Sequence, residues 1–146
     1  MTVVVPFDGS ALSVAALERA TDIQSAFGSS VHAFTVVPDG NTEYARERGW
    51  LDAGERFDPE RVVSQIAEQV ETATPEATFA YDVVNRYAPS GVIANCIRRY
   101  ARTKDATLVV IGSENAGRIV TSVSSVGSPV AADESYDVLL VRHERD

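Results

Sequence analysis

The residues with the clearest chemical use begin at Leu108 and run to Arg118: Leu-Val-Val-Ile-Gly-Ser-Glu-Asn-Ala-Gly-Arg. A run of strand formers stops at Gly112, and small polar residues follow. The same character continues through Ser124-Ser125-Val126-Gly127-Ser128-Pro129. Backbone N–H groups in small-residue turns form concave nests that attract anions. Ser128 fits a helix N-cap with Pro129 at the first helical position, and such a helix start adds its positive end to an anion site. The second candidate is Asp8, in the turn Asp8-Gly9-Ser10 that closes the first apolar run. The chemistry these residues suggest is the holding of a small anion. The competing reading is that Gly and Ser mark a solvent loop and that Asp8 merely shapes its turn.

The elements that must position these residues alternate along the chain. Thr2 to Phe7 reads as a buried strand, with Val3-Val4-Val5 at its centre. Ser10 caps a helix over Ala11 to Phe27, whose apolar face is Leu12, Ala16, Ala20, Ile23 and Phe27, and Gly28 lies just past its end. Val31 to Val37 is a second strand. Asn41 to Phe57 is the least regular stretch, and it holds the lone Trp50; a loop of that length is usually functional or mobile. Asp58-Pro59-Glu60 announces a helix with Val62, Ile66, Val70 and Ala73 on its inner face. Thr78 to Val84 is a third strand. A helix from the Ala88-Pro89-Ser90-Gly91 segment is carried by Ile93, Ile97 and Tyr100. Thr107 to Ile111 is the fourth strand. A short helix over Pro129 to Glu134 leads to the fifth, Val138 to Val141. Such β-α alternation predicts an α/β fold, a mainly parallel, doubly wound sheet with helices on both faces. Ligands of such sheets bind beyond the carboxyl ends of the strands, where the winding reverses. Asp8 and Gly112 both belong to that end.

Composition narrows the function classes. The 146 residues suit one domain, over 1–146, with no linker or repeat. A net charge of −8 argues against a nucleic-acid binder, which needs a basic face. No apolar run approaches the roughly 20 residues that span a bilayer, and no secretory leader stands out, so no membrane is expected and the cytoplasm is the expected location. Cys96 is the single cysteine, which excludes an internal disulfide. It reads as a small buried hydrophobe. Lys104 is the only lysine in this acidic chain, a balance that a salt-rich cytoplasm would favour.

Several motifs are missing. There is no phosphate-loop Gly-x-x-x-x-Gly-Lys, no dinucleotide Gly-x-Gly-x-x-Gly after the first strand, no Gly-x-Ser-x-Gly and no paired-histidine metal motif. A phospho-receiver would want an acidic pair after the first strand and a late lysine; neither is present. His32 and His143 read as structural or surface groups, and Arg98, Arg99 and Arg102 as a solvated helix end. No catalytic residue and no metal site are assigned, and at most a slow hydrolysis is expected.

Val3-Val4-Val5-Pro6-Phe7-Asp8-Gly9-Ser10 at one end, Leu108 to Ser113 near the other and the closing Val138-Leu139-Leu140-Val141-Arg142 together resemble the universal stress protein family. The resemblance covers essentially the whole chain. It implies a five-stranded parallel sheet in the order 3-2-1-4-5, with Rossmann-like layering, and a homodimer built through the last strand, Val138 to Val141. Some members bind ATP, with Mg²⁺, and others do not. In the binders a loop of the form Gly-x-x-Gly, nine residues, Gly-Ser/Thr wraps the phosphates. Gly112 and Ser113 match its start, and Asn115 stands where the second glycine belongs. Gly117 comes two residues late but keeps the nine-residue gap to Gly127 and Ser128, and Arg118 would then contact a terminal phosphate. Counting back from the last strand gives another register, with Ser124 and Ser125 in place of the Gly-Ser pair. By resemblance Asp8 would sit at the nucleoside end, with Pro6 and Val36 lining the base pocket. Two functions follow and both stay open: a regulatory protein that binds ATP in the crevice at the ends of strands one and four, or a member without ATP that works as a dimeric interaction module. A small-molecule enzyme in the same crevice carries the least support.

Overall fold

The computed structural model describes residues 1–112 and 127–144, with only the backbone described at 127 and 128. Five parallel strands form one sheet: β1 (Thr2–Pro6), β2 (Ser30–Pro38), β3 (Thr78–Val84), β4 (Leu108–Gly112) and β5 (Asp137–Val141), in the spatial order β3-β2-β1-β4-β5. Between them run α1 (Ala11–Phe27), α2 (Thr42–Glu47), α3 (Pro59–Ala73), α4 (Ser90–Thr103) and α5 (Gly127–Ala131). Every described pairing is parallel, for example Val3↔Val31 on one side of β1 and Val3↔Leu108 on the other.

A central parallel strand is buried on both faces, so it reads as an unbroken apolar run. β1 does this with Val3, Val4 and Val5, all fully buried. Alternation then divides the core. Val3 and Val5 face the cluster made with Leu12, Ala16, Leu17 and Ala20 of α1 and Val62, Ile66 and Val70 of α3. Val4 faces the other cluster, with Ala94, Ile97 and Ala101 of α4 and Val130 of α5. Helices therefore cover both faces, and the winding reverses between β1 and β4.

Local signals set the helix ends. Ser10 Oγ accepts from the Ser13 N–H at 3.2 Å, and Gly28 closes α1 at φ +67° with its N–H on the Gln24 carbonyl. Asp58 caps α3 through the Glu60 N–H, with Pro59 in the first turn. Phe27 departs from the expected inner face of α1: it is 73% exposed. Burial instead falls on Leu12, Ser13, Ala15, Ala16, Leu17 and Ala20, because the N-terminal half of α1 lies on the sheet while its last turn overhangs. α5 begins at Gly127 rather than after Ser128, so Ser128 is inside the helix and Pro129 is its third residue. Proline is tolerated there because first-turn N–H groups have no intrahelical partner.

The irregular stretch Asn41 to Phe57 also departs from expectation. Asn41 caps α2 by accepting from the Tyr44 N–H, and the chain after it drives Trp50 and Leu51 into the core. The stretch is thus partly helical and partly core.

The arginines of α4 are likewise more than a solvated end. Asp133 has a side chain only 3% exposed. Its Oδ2 accepts from Arg98 Nε at 3.0 Å and from Arg102 Nη2, while its Oδ1 accepts from the Ser135 N–H and hydroxyl at 2.9 and 2.7 Å. Tyr136 donates its hydroxyl to the Val130 carbonyl at 2.6 Å, and burial, with Asp133 nearby, pushes that phenol up to about 12. This clamp fixes α5 and the start of β5 on α4. Ser135, then Arg98 and Arg102, hold the Asp133 carboxyl well below its ordinary value of 3.8. A depressed carboxylate stabilises the fold above its unfolded pKa, and that contribution is lost as pH falls through the folded value. Asp133→Asn should therefore lower stability at neutral pH by about 2 kcal/mol. It should also flatten the loss of stability below about pH 4. Urea unfolding at several pH values measures both.

Candidate functional site

The sheet order puts the carboxyl ends of β1 and β4 side by side. β1 ends at Pro6, and Phe7 still donates its N–H to the Phe34 carbonyl at 2.9 Å. The chain then turns. Asp8 Oδ1 accepts from the Ser10 N–H at 2.9 Å, so the expectation of a turn-forming Asp holds for that oxygen. Gly9 permits the turn at φ +84°, where a side chain would be strained. A Cβ there would also stand 2.8 Å from the Arg48 carbonyl oxygen and 3.0 Å from Trp50 Nε1. The turn is thus seated against the segment that follows α2.

Gly112 ends β4 beside this turn. A Cβ on Gly112 would lie 2.3 Å from the Leu12 carbonyl oxygen and 2.5 Å from the Leu12 carbonyl carbon. The first turn of α1 crosses the end of β4 in backbone contact. The glycine there is required by helix–strand approach, whether or not a ligand sits above it.

Of the residues expected at the site, Pro6, Asp8 and Gly112 stand at adjacent strand ends. Val36 is buried in the second core cluster, so at β2 it has only main chain to offer a ligand. Ser113, Asn115, Gly117, Arg118, Ser124 and Ser125 lie outside the described residues, and so does the choice between the two loop registers. Gly127 and Ser128 open α5, the element that the Asp133 clamp holds.

The structure adds three residues that the sequence reading left out. Tyr44 and Arg48 are four apart across α2 and its end, and the Arg48 guanidinium lies 3.5 Å from the centre of the Tyr44 ring. Burial pushes the Tyr44 phenol up; Arg48 opposes this and Asp8 adds to it, which ties all three into one electrostatic group. Arg86, in the turn after β3, lies over Gly40, with Nη2 2.7 Å from where a Cβ would stand. Its carbonyl accepts from Asn41 Nδ2. The i, i+4 spacing of Tyr44 and Arg48 behind the Asn41 cap was the available signal. Among the described residues no group of three or more His, Cys, Asp or Glu is placed to hold a metal ion. His32 bonds through Nδ1 to the Tyr100 hydroxyl at 3.0 Å, at the opposite end of the sheet. Cys96 is buried, which pushes its thiol up and leaves it a packing residue. No helix among the described residues is long and apolar enough to cross a membrane.

The model of the Universal stress protein family matches residues 1–142. Solved structures share the fold. A universal stress protein in complex with cAMP superposes with a TM-score of 0.61 at 22% identity, over 97% of this chain and 96% of that one. The universal stress protein from Archaeoglobus fulgidus in complex with dAMP gives 0.58 at 18% identity, over 97% and 98%. Universal stress protein UspA from Lactobacillus plantarum gives 0.62 at 20%, over 97% of both chains.

Proposed function

Because this chain belongs to the universal stress protein family, we propose that it is a regulatory protein that binds an adenine nucleotide, ATP with Mg²⁺, in the crevice at the carboxyl ends of β1 and β4. The observation that carries this reading is the adjacency of the Asp8 turn and the end of β4 at Gly112, at the point where the winding of the sheet reverses. That is where open α/β sheets take their ligands. Relatives bound to cAMP and dAMP support an adenine nucleotide as the ligand class. Asp8 keeps one carboxylate oxygen on the Ser10 N–H, which leaves the other to accept from a nucleoside hydroxyl or amine. Pro6 and the main chain of Val36 flank the base. The phosphates extend toward the stretch that begins at Gly112 and returns at Gly127 and Ser128.

Asp8→Asn separates the binding role from the turn. The amide oxygen still accepts from the Ser10 N–H, but the charge is gone. The variant should bind ATP about tenfold more weakly, the worth of one charge-assisted hydrogen bond, with an unchanged melting temperature. Equal affinity in the two proteins would place the nucleoside elsewhere.

We propose also that two copies pair through β5. It is a terminal strand of the sheet, and its Val138, Leu139 and Leu140 are only half-buried. This edge supports the second reading as well, a dimeric interaction module, and pairing there does not depend on nucleotide.

A further inference from the structure

β3 is the other terminal strand of the sheet, and among the described residues nothing pairs with its outer edge. Proteins blunt such edges with proline, lysine or a bulge. Thr78–Val84 contains neither residue, and its register with β2 runs without a break from Thr78 to Val84. One hydrogen bond fixes which backbone groups are free: the Asp39 N–H donates to the Val84 carbonyl at 2.8 Å, so Val84 turns its groups toward β2. The direction alternates along a strand. Phe79, Tyr81 and Val83 therefore turn their N–H and C=O groups outward. The same three share one face. The Phe79 and Tyr81 rings stack with centres 6.0 Å apart, and Tyr81 and Val83 are 46% and 48% exposed.

We propose that this edge pairs with β3 of a second copy, antiparallel, about a two-fold axis at Tyr81. In that register Tyr81 faces its own copy, Phe79 faces Val83, and Ala80 faces Asp82. The outward backbone groups of Phe79, Tyr81 and Val83 then fall in hydrogen-bonded pairs, as an antiparallel ladder requires. Apolar side chains meet apolar side chains across the axis. The only charge on the strand, Asp82, meets Ala80, and its own Arg99 lies 3.8 Å away. An axis at Asp82 would still pair outward backbone groups, Tyr81 with Val83, but would set two carboxylates directly against each other, which is unfavourable. In a chain of net charge −8, general self-association is opposed by like charge. In the register centred on Tyr81 the β3 edge is self-complementary in backbone hydrogen bonding and in its apolar side-chain pairs, with no like charges opposed, so a second copy is the occupant it fits. The contact is independent of the nucleotide crevice and of β5.

Tyr81→Cys tests it in the full chain. Residues opposite each other in a hydrogen-bonded antiparallel pair have Cα atoms about 5.5 Å apart, within disulfide reach. Native Cys96 is buried, and the unsubstituted protein serves as the blank. With oxidised glutathione, Tyr81→Cys should form a covalent dimer at least about tenfold faster than Phe27→Cys, whose site is exposed but off the edge. In sedimentation, Tyr81→Lys should raise the dissociation constant of the β3 contact about tenfold or more while circular dichroism is unchanged. Val83→Lys repeats the test should Tyr81→Lys not fold. Equal cross-linking at positions 81 and 27, or association untouched by both lysines, overturns the proposal. An extended segment of another protein on this edge would give that same negative result.

Discussion

Replacing Trp50 with alanine should destabilise the protein by about 3–5 kcal/mol, the largest loss expected from any single truncation in it. Trp50 is the largest fully buried side chain and only 2% exposed. It packs in the cluster that joins α1, α3 and β1, with the Tyr44 ring tilted against it at 5.7 Å. Truncation removes the transfer free energy of the indole and leaves a cavity under the Asp8-Gly9-Ser10 turn, because Trp50 Nε1 faces Gly9. The effect should reach function as well, since the turn that holds Asp8 loses its floor. Trp50→Phe should cost much less. The indole N–H has no hydrogen-bond partner among the described residues to lose, and the phenyl ring refills part of the space. Urea unfolding followed by circular dichroism measures both variants.

Gly112→Ala is the second large effect. The added carbon would stand 2.3 Å from a helix carbonyl oxygen, and the atoms it meets are backbone, not a flexible side-chain end. Either α1 lifts from β4 or the end of β4 bends. Overpacking of this kind costs about 1–3 kcal/mol and more where backbone must move, so about 3 kcal/mol is expected. Loss of nucleotide binding in this variant would follow from the displaced helix as readily as from a lost ligand contact. Thermal unfolding of Gly112→Ala beside Ser10→Ala, a cap loss worth about 1 kcal/mol, calibrates the scale. A Gly112→Ala protein as stable as the parent would refute the backbone contact.

The fold was legible wherever a local rule set the boundary. Asp58-Pro59-Glu60 marked the start of α3, Gly28 the end of α1, and the apolar runs of β1 and β4 their place in the centre of the sheet. Phe27 misled because periodicity extends an apolar face to the end of a helix, whereas burial stops where the sheet stops. Trp50 was hidden because a short helix flanked by charged residues has no periodic signal, and its burial is decided by packing on α1, α3 and β1 and by Gly9, far back in sequence. Arg98 and Arg102 looked like a solvated helix end because their partner, Asp133, lies more than thirty residues on. At the site, the turn at Asp8 and the end of β4 at Gly112 were legible. The reason Gly112 is glycine was not, because Leu12 meets it only after folding. Tyr44 and Arg48 were visible as an i, i+4 pair but gained meaning only once the Asp8-Gly9 turn was found seated against the Arg48 carbonyl.

The central claim is that an adenine nucleotide is held at the β1–β4 crevice with Asp8 at its nucleoside end. Isothermal titration of the full chain with ATP and Mg²⁺, run in parallel on Asp8→Asn, tests it most directly. The account predicts one saturable site per chain, competed by dAMP and about tenfold weaker in the variant. Absence of binding heat up to about 1 mM nucleotide, or a site of equal strength in both proteins, would contradict it.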